Sequence, residues 1–269
     1  MIPPRVLLAF LRRDLRIQTS YRLQILGQFV ALGMGLATYT FLSQVVPGHQ
    51  RSLRPYGYDY FTFVLIGSAA STFFSVGLSS FAGTLSREQA TGTLEALLVT
   101  PHDARLLLAS GAIWSFALAA LQTAVYLAAG TLFLHAHIAT AGLGLVAAMT
   151  LLALASFSGL GLLAAATLIQ TKRGGTLIGF AASAFALLGG VFYPVSVLPA
   201  WLQAVAHVLP ISYALDGVRR AAVASADLHA IGLDALVLVL YTAVLLPVAF
   251  LVSGWSVDRA RRAGSLAQY

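Results

Sequence analysis

The chain has 269 residues, of which 59% are hydrophobic and 9% charged, and its formal net charge is +7. A soluble domain carries about 25% charged residues, so the charges here are too few to cover a water-facing globule, and lipid is the solvent for most of the chain. The absence of cysteine excludes disulfides and thiolate metal sites.

In chain order, residues 4–20, "PRVLLAFLRRDLRIQTS", come first. At helical spacing Arg5, Arg12 and Arg16 share one face, with Arg13 on its flank, and Leu7, Leu8, Leu11 and Leu15 share the opposite face. This predicts an amphipathic helix in the membrane interface, its leucines in acyl chains and its arginines among phosphates. Arginines interrupt any apolar run before residue 23, so no cleavable signal is expected.

A membrane-crossing helix needs about 20 apolar residues. Five runs qualify, at 23–46, 60–83, 107–134, 143–168 and 231–252, and a shorter sixth at 177–193 stops at Pro194. Six crossings put both termini on one side. With that side cytoplasmic, Arg5, Arg12, Arg13, Arg16, Arg22, Arg87, Arg105, Lys172, Arg173, Arg259, Arg261 and Arg262 lie inside. Arg51, Arg54, Arg219 and Arg220 lie outside. The positive-inside rule therefore accounts for the basic charge without nucleic acid.

The second span carries Gly67, Ser71, Ser75, Ser79 and Gly83, one small residue every four. Read as a stripe along one side, it suits close helix packing or a weakly polar wall for a substrate. Gln28, Gln44 and Gln122 also lie within spans and each needs a partner in the bundle or water.

Between spans two and three stands "SREQATGTLEALLVTP", residues 86–101. Ser86 and Gln89 form a capping-box pattern, which predicts a helix start at Ser86. Gly92 weakens or breaks that helix, Thr93 caps a further turn, and Pro101 ends the element at Thr100. Leu94, Leu97 and Leu98 give it an apolar side, and Glu88 and Glu95 make it acidic. Such an element can pack on its own bundle or fill a groove in a cytosolic partner.

After the fifth run, Pro194, Pro199 and Pro210 divide a stretch too apolar for an ordinary external loop. Pro199 suits the first turn of a short helix with Trp201, Leu202 and Val205 on one side. Asp216 and Arg220 stand i,i+4 and can pair. The segment either dips into the membrane and returns, or lies flat with Trp201 as an interfacial anchor.

No ATP site can be built here. The one lysine, Lys172 in "LIQTKRGG", is followed by Arg173, and no phosphate-binding loop precedes it. His135 and His137 stand two apart in a loop, the wrong spacing for a helical metal pair. The span centres lack ionisable groups, which argues against proton-coupled transport, and Asp234 falls near the outer, watered end of the last span.

The stretch "REQATGTLEALLVTP" resembles the signature of type-2 ATP-binding-cassette (ABC) exporter permeases, at Glu88, Gly92, Thr93, Leu94, Glu95, Leu97, Leu98, Thr100 and Pro101. A second stretch at 189–220, "GGVFYPVSVLPAWLQAVAHVLPISYALDGVRR", is similar to the segment before that family's last span. The resemblance implies an all-α inner-membrane permease, residues 1–269 forming one domain of six spans with a cytoplasmic coupling helix at 86–100. The coupling helix would dock on a separate ATPase subunit. Two ATPase copies would hold the ATP and magnesium, and none would bind in this chain. A second permease copy would complete a homodimer. Re-entrant helices at 194–220 would form an outer gate, with Tyr193, Pro194, Pro199, Trp201, Pro210, Tyr213, Asp216 and Arg220. The motif is closest to the drug- and lipid-exporting branch. A polysaccharide or teichoic-acid exporter is the alternative, for which Phe61, Phe63, Phe73 and Phe74 could stack sugars. A non-transporting membrane scaffold or sensor is the reading from another class.

Overall fold

A computed structural model describes residues 12, 13, 15, 16, 22–45, 51–57, 59–90, 92, 104–134, 136, 139, 142–171, 175–223 and 228–262. Among them every regular element is helical. In chain order these are α1 (Arg22–Val45), a 3-10 turn (Arg51–Tyr56), α2 (Tyr60–Ala90), α3 (Ala104–Leu134), α4 (Leu143–Thr171) and α5 (Gly175–Leu188). A second 3-10 turn (Val195–Val197), α6 (Ala200–Val208), α7 (Pro210–Val223) and α8 (Leu228–Arg262) complete the chain.

Five of these helices are long and apolar enough to cross a membrane: Leu26–Val45, Tyr60–Glu88, Ala112–Leu134, Leu143–Thr167 and Ile231–Ser256. They match the five long runs expected from hydropathy. The sixth run is the 14-residue α5. At about 1.5 Å per residue it is about 21 Å long, short of the roughly 30 Å hydrocarbon layer.

The centre of the molecule is built from α2, α4, α7 and α8, with α8 packed most extensively on α4 and α4 on α2. Their shared core contains Phe74, Met149, Phe157, Leu215 and Leu238, all buried. The rings of Phe74 and Phe157 stack with centroids 5.0 Å apart. Close approach of α2 and α4 depends on missing side chains. A Cβ on Gly161 would stand 2.2 Å from the Gly77 carbonyl oxygen, and one on Gly77 would stand 2.9 Å from Phe157 Cβ. Without a hydrophobic effect between helices in lipid, this backbone contact is a main source of their association.

At its start α2 is capped by Asp59, whose carboxylate accepts from the Phe61 N–H at 3.1 Å and the Thr62 N–H at 3.3 Å. The carboxylate thereby satisfies backbone donors that a helix start leaves open. By contrast α1 lies at the margin. None of its span is buried within the chain, and Leu26, Val30, Met34 and Phe41 point outward. It meets α3 through Leu32, Leu36 and Tyr39, which pack in one cluster with Tyr126 and Leu127, and through the bond from Gln122 Nε2 to Gln28 Oε1, 2.7 Å, which gives both span amides the partner that lipid cannot supply. Gln44, near the end of α1, is exposed.

Substituting leucine at Gly161 should force α2 and α4 apart and cost at least the roughly 1–3 kcal/mol of an overpacked core. The same change at Gly83, where an added Cβ meets nothing within 4 Å, should leave stability within about 0.5 kcal/mol. Thermal unfolding of the two purified variants checks the contrast.

Candidate functional site

The polar chemistry of the molecule gathers at two ends of the bundle. At the first, α7 is an amphipathic helix whose Ile211, Ala214, Leu215, Val218, Ala221 and Ala222 are buried. Arg219 follows Leu215 by four residues, so it falls on that inward side. It is 2% exposed. Its guanidinium donates to the carbonyl oxygens of Phe63 (Nε, 3.1 Å), Gly190 (Nη1, 2.9 Å) and Val191 (Nη2, 2.6 Å). Its central carbon lies 3.5 Å from the centroid of the Phe63 ring. Gly190 has φ +77°, in the left-handed region that a β-carbon disfavours, so the chain can turn out of α5 and aim its carbonyl at the arginine. Gly67 leaves the space: a Cβ there would lie 1.9 Å from Arg219 Nη2.

Arg219 is thus a buried cross-link between α2, α7 and the end of α5. One expectation is corrected: the row Gly67, Ser71, Ser75, Ser79, Gly83 does not follow one side of α2. Four residues turn a helix by about 400°, so a strict four-residue row drifts by about 40° per step. Gly67 and Ser71 are accordingly buried, while Ser79 and Gly83 are exposed. The row that runs straight is Ser68, Thr72, Ser75, Ser79, Gly83 and Ser86, half-buried or exposed throughout. Its hydroxyls are answered locally: Thr72 Oγ1 donates to the Ser68 carbonyl at 2.9 Å and Ser79 Oγ to the Ser75 carbonyl at 2.8 Å.

Beside Arg219 opens a cleft of about 650 Å³ between the first 3-10 turn, the segment from Pro194 to Ser196, α6, α7 and the start of α8. The expected pair is present, with Arg220 Nη2 2.6 Å from Asp216 Oδ2. The other oxygen of Asp216 accepts from the Tyr56 hydroxyl. Burial raises the Tyr56 phenol above its usual pKa, and the Asp216 carboxylate raises it further, so it stays protonated and donating. Asp234 also lines the cleft. It is 5% exposed, so α7 covers a group that its position in the span had suggested would be wet.

The proline-divided segment takes the shape its residues predict. Pro199 caps α6 and Pro210 opens α7. Pro194 is buried at the start of the second 3-10 turn. Tyrosine hydroxyls tie the turns together: Tyr193 donates to the Leu187 carbonyl at 2.8 Å and Tyr213 to the His207 carbonyl at 2.9 Å. Trp201 is 69% exposed, and with Val205 and Val208 it forms an apolar row facing away from the chain.

At the other end of α2, Ser86 does not begin a helix. It lies inside α2, which runs unbroken to Ala90. Nothing between Gly83 and Ala90 breaks the span, so Arg87, Glu88 and Gln89 extend it, and the capping-box pattern goes unused. The break comes at Gly92, with φ +68°. Glu88 is 4% exposed and its Oε1 lies 2.8 Å from Arg13 Nη2. Residues 12, 13, 15 and 16 are helical. Thr93, Leu94, Glu95, Leu97, Leu98, Thr100 and Pro101 lie outside the described residues, as do His135, His137, Lys172 and Arg173.

Among these side chains, Arg219, Tyr56, Asp234 and Arg13 were not singled out by motif. Arg219 did carry a signal, since Leu215 and Ala222 flank it at i−4 and i+3.

A bundle of long apolar helices with buried charges at its two ends defines a polytopic helical membrane protein. The family model for ABC-2 type transporters matches residues 5–222, and the chain belongs to that family. It is the membrane permease of an ABC transporter, a transmembrane subunit that is not itself catalytic. Members of the family normally work with an ABC ATPase, which is a separate component. No curated protein matches the chain.

Replacing Arg219 by leucine should leave the Gly190 and Val191 carbonyls without their donor, at about 1–3 kcal/mol each, while the Phe63 carbonyl keeps its place in the helix ladder of α2. Lysine should recover only part of the loss, because an ammonium lacks the planar fork that reaches several acceptors at once. Unfolding midpoints in the order wild type, lysine, leucine would bear this out; equal midpoints for lysine and wild type would refute it.

Proposed function

We propose that this permease exports an amphipathic or hydrophobic molecule, drug- or lipid-like, from the cytoplasm. It works as a homodimer with two copies of a separate ATPase that holds the ATP and magnesium. The family match over residues 5–222 carries this reading, because it takes in both motif segments. Both termini are cytoplasmic on the bias of arginine and lysine. The inner membrane is then crossed six times, with α5 and the turn after it as the short fifth crossing. The segment 194–220 is the outer gate.

In this arrangement Glu88 stands just before the coupling element, and Thr93, Leu94, Glu95, Leu97, Leu98 and Pro101 meet the ATPase. The ion pair of buried Glu88 with Arg13 supports the reading, since it ties the N-terminal segment to the helix that leads into that element. The exposed row on α2 supports a path or dimer-facing role. It offers another surface small side chains, and the Thr72 and Ser79 hydroxyls are already satisfied within the helix, so passage along them breaks few bonds. The drug- or lipid-like substrate is favoured over a glycan by one observation. Phe61, Phe63, Phe73 and Phe74 are all buried within the chain, so none offers a free ring for a sugar to stack on.

Two experiments test the proposal. Glu95→Arg should abolish transport-coupled ATP hydrolysis in the reconstituted complex while membrane insertion stays normal; unchanged export would remove the coupling role. Ser79→Leu with Gly83→Leu should reduce export at least tenfold without lowering the unfolding midpoint, because both positions are exposed. Full export in that double variant would mean the row faces lipid. Gly67→Leu cannot serve here, since its clash with Arg219 would report on folding.

A further inference from the structure

We propose that the cleft beside α7 is a binding site for a primary ammonium group attached to an apolar body, with Asp234 as its counter-ion. The inference stands apart from the transport reading, because it concerns what this chain binds by itself.

Two carboxylates on one wall of the cleft are unequally satisfied. Asp216 is fully engaged, one oxygen by Tyr56 and the other by Arg220. Asp234 is not. Its Oδ2 is buried and has no hydrogen-bond partner. The nearest cation, Arg220 Nη1, stands 4.0 Å away, beyond hydrogen-bond reach, and that arginine also bonds Asp216 at 2.6 Å. The Asp234 side chain is 7% exposed, so bulk water does not answer it freely either. A buried acceptor left without a donor costs about 1–3 kcal/mol, more when it is charged. A ligand that brings both a donor and a positive charge removes that cost.

The shape of the space selects among cations. About 650 Å³ is far more than an ion or a water fills and falls within the usual range for organic ligands. Among the described residues, no three His, Cys, Asp or Glu side chains come together as a metal needs. An ammonium needs no such shell, because it carries three donors of its own and one carboxylate can hold it. The rest of the wall suits what is attached. Leu233, Pro194 and Val195 offer apolar surface, and Gln203, His207 and His229 offer hydrogen-bonding groups. Two sources have this chemistry: the ethanolamine headgroup of a surrounding phospholipid, and a free amphipathic amine.

The test uses the purified full-length chain and two substitutions. Asp234→Asn removes the charge. Leu233→Trp narrows the cleft from a position that is 67% exposed, so it leaves the core untouched and serves if Asp234→Asn fails to fold. Hexylamine and hexan-1-ol, matched in chain length, are titrated at neutral pH against the unfolding midpoint. Phosphatidylethanolamine and phosphatidylcholine are compared for retention by native mass spectrometry. Hexylamine should raise the wild-type midpoint more than hexan-1-ol does, and either substitution should weaken that effect at least fivefold. Preferential retention of phosphatidylethanolamine, lost in the variants, assigns the lipid; an amine effect with no lipid preference assigns a free amine. Equal effects of hexylamine and hexan-1-ol on wild type, with no lipid preference, would overturn the site. Undiminished amine and lipid binding in folded Asp234→Asn would overturn the role of Asp234.

Discussion

One guanidinium holds the upper half of this bundle in register. Arg219 reaches from α7 to carbonyls on α2 and at the end of α5, and lies on the Phe63 ring. A charge removed from water this completely is tolerated only when its donors are met and its neighbours polarise toward it. Three carbonyls and an aromatic face meet those terms. The carbonyls need the arginine in turn, because the chain leaves its helix at Gly190 and would otherwise present unpaired acceptors in a non-aqueous interior. The contact thus allows a helix to stop inside the bundle and turn back as α6 and α7.

The same contact sets what α2 can carry. Gly67 is fixed by the arginine's volume, and Gly77 by Phe157 of α4. On the turns between them, phenylalanines and alanines fill the core. The straight row of Ser68, Thr72, Ser75, Ser79, Gly83 and Ser86 lies on the half-buried to exposed side of α2, while Ser71, Ser80 and Thr84 are enclosed on its packed sides. Small hydroxyl residues suit it because each can return its hydrogen bond to its own helix.

The long helices were legible from hydropathy because lipid imposes a length and a polarity on each crossing. The proline-set bounds of α6 and α7 and the pairing of Asp216 with Arg220 were legible too, since each follows from local geometry. Three features were not. The four-residue row was read as straight because spacing was counted without its angular drift. Ser86 was read as a cap because the pattern of a capping box says nothing about whether the preceding turn is already helical. The burial of Arg219 escapes a charge count, which sees only the sign of a residue. Its burial depends on carbonyls 28, 29 and 156 residues away in sequence.

Both ends of α2 are held by a buried charge. Near its start the Phe63 carbonyl is bound by Arg219, and near its finish Glu88 is bound by Arg13. The helix between these positions is continuous and contains no proline. Its glycines at 67 and 77 are closed in by neighbouring groups, whereas Gly83 stands in open space. A helix of about 37 Å between two such clamps transmits displacement along its length more readily than it absorbs it. Arg13 and Arg219 therefore grip the same continuous helix near its two ends, one through a carboxylate and the other through a backbone carbonyl.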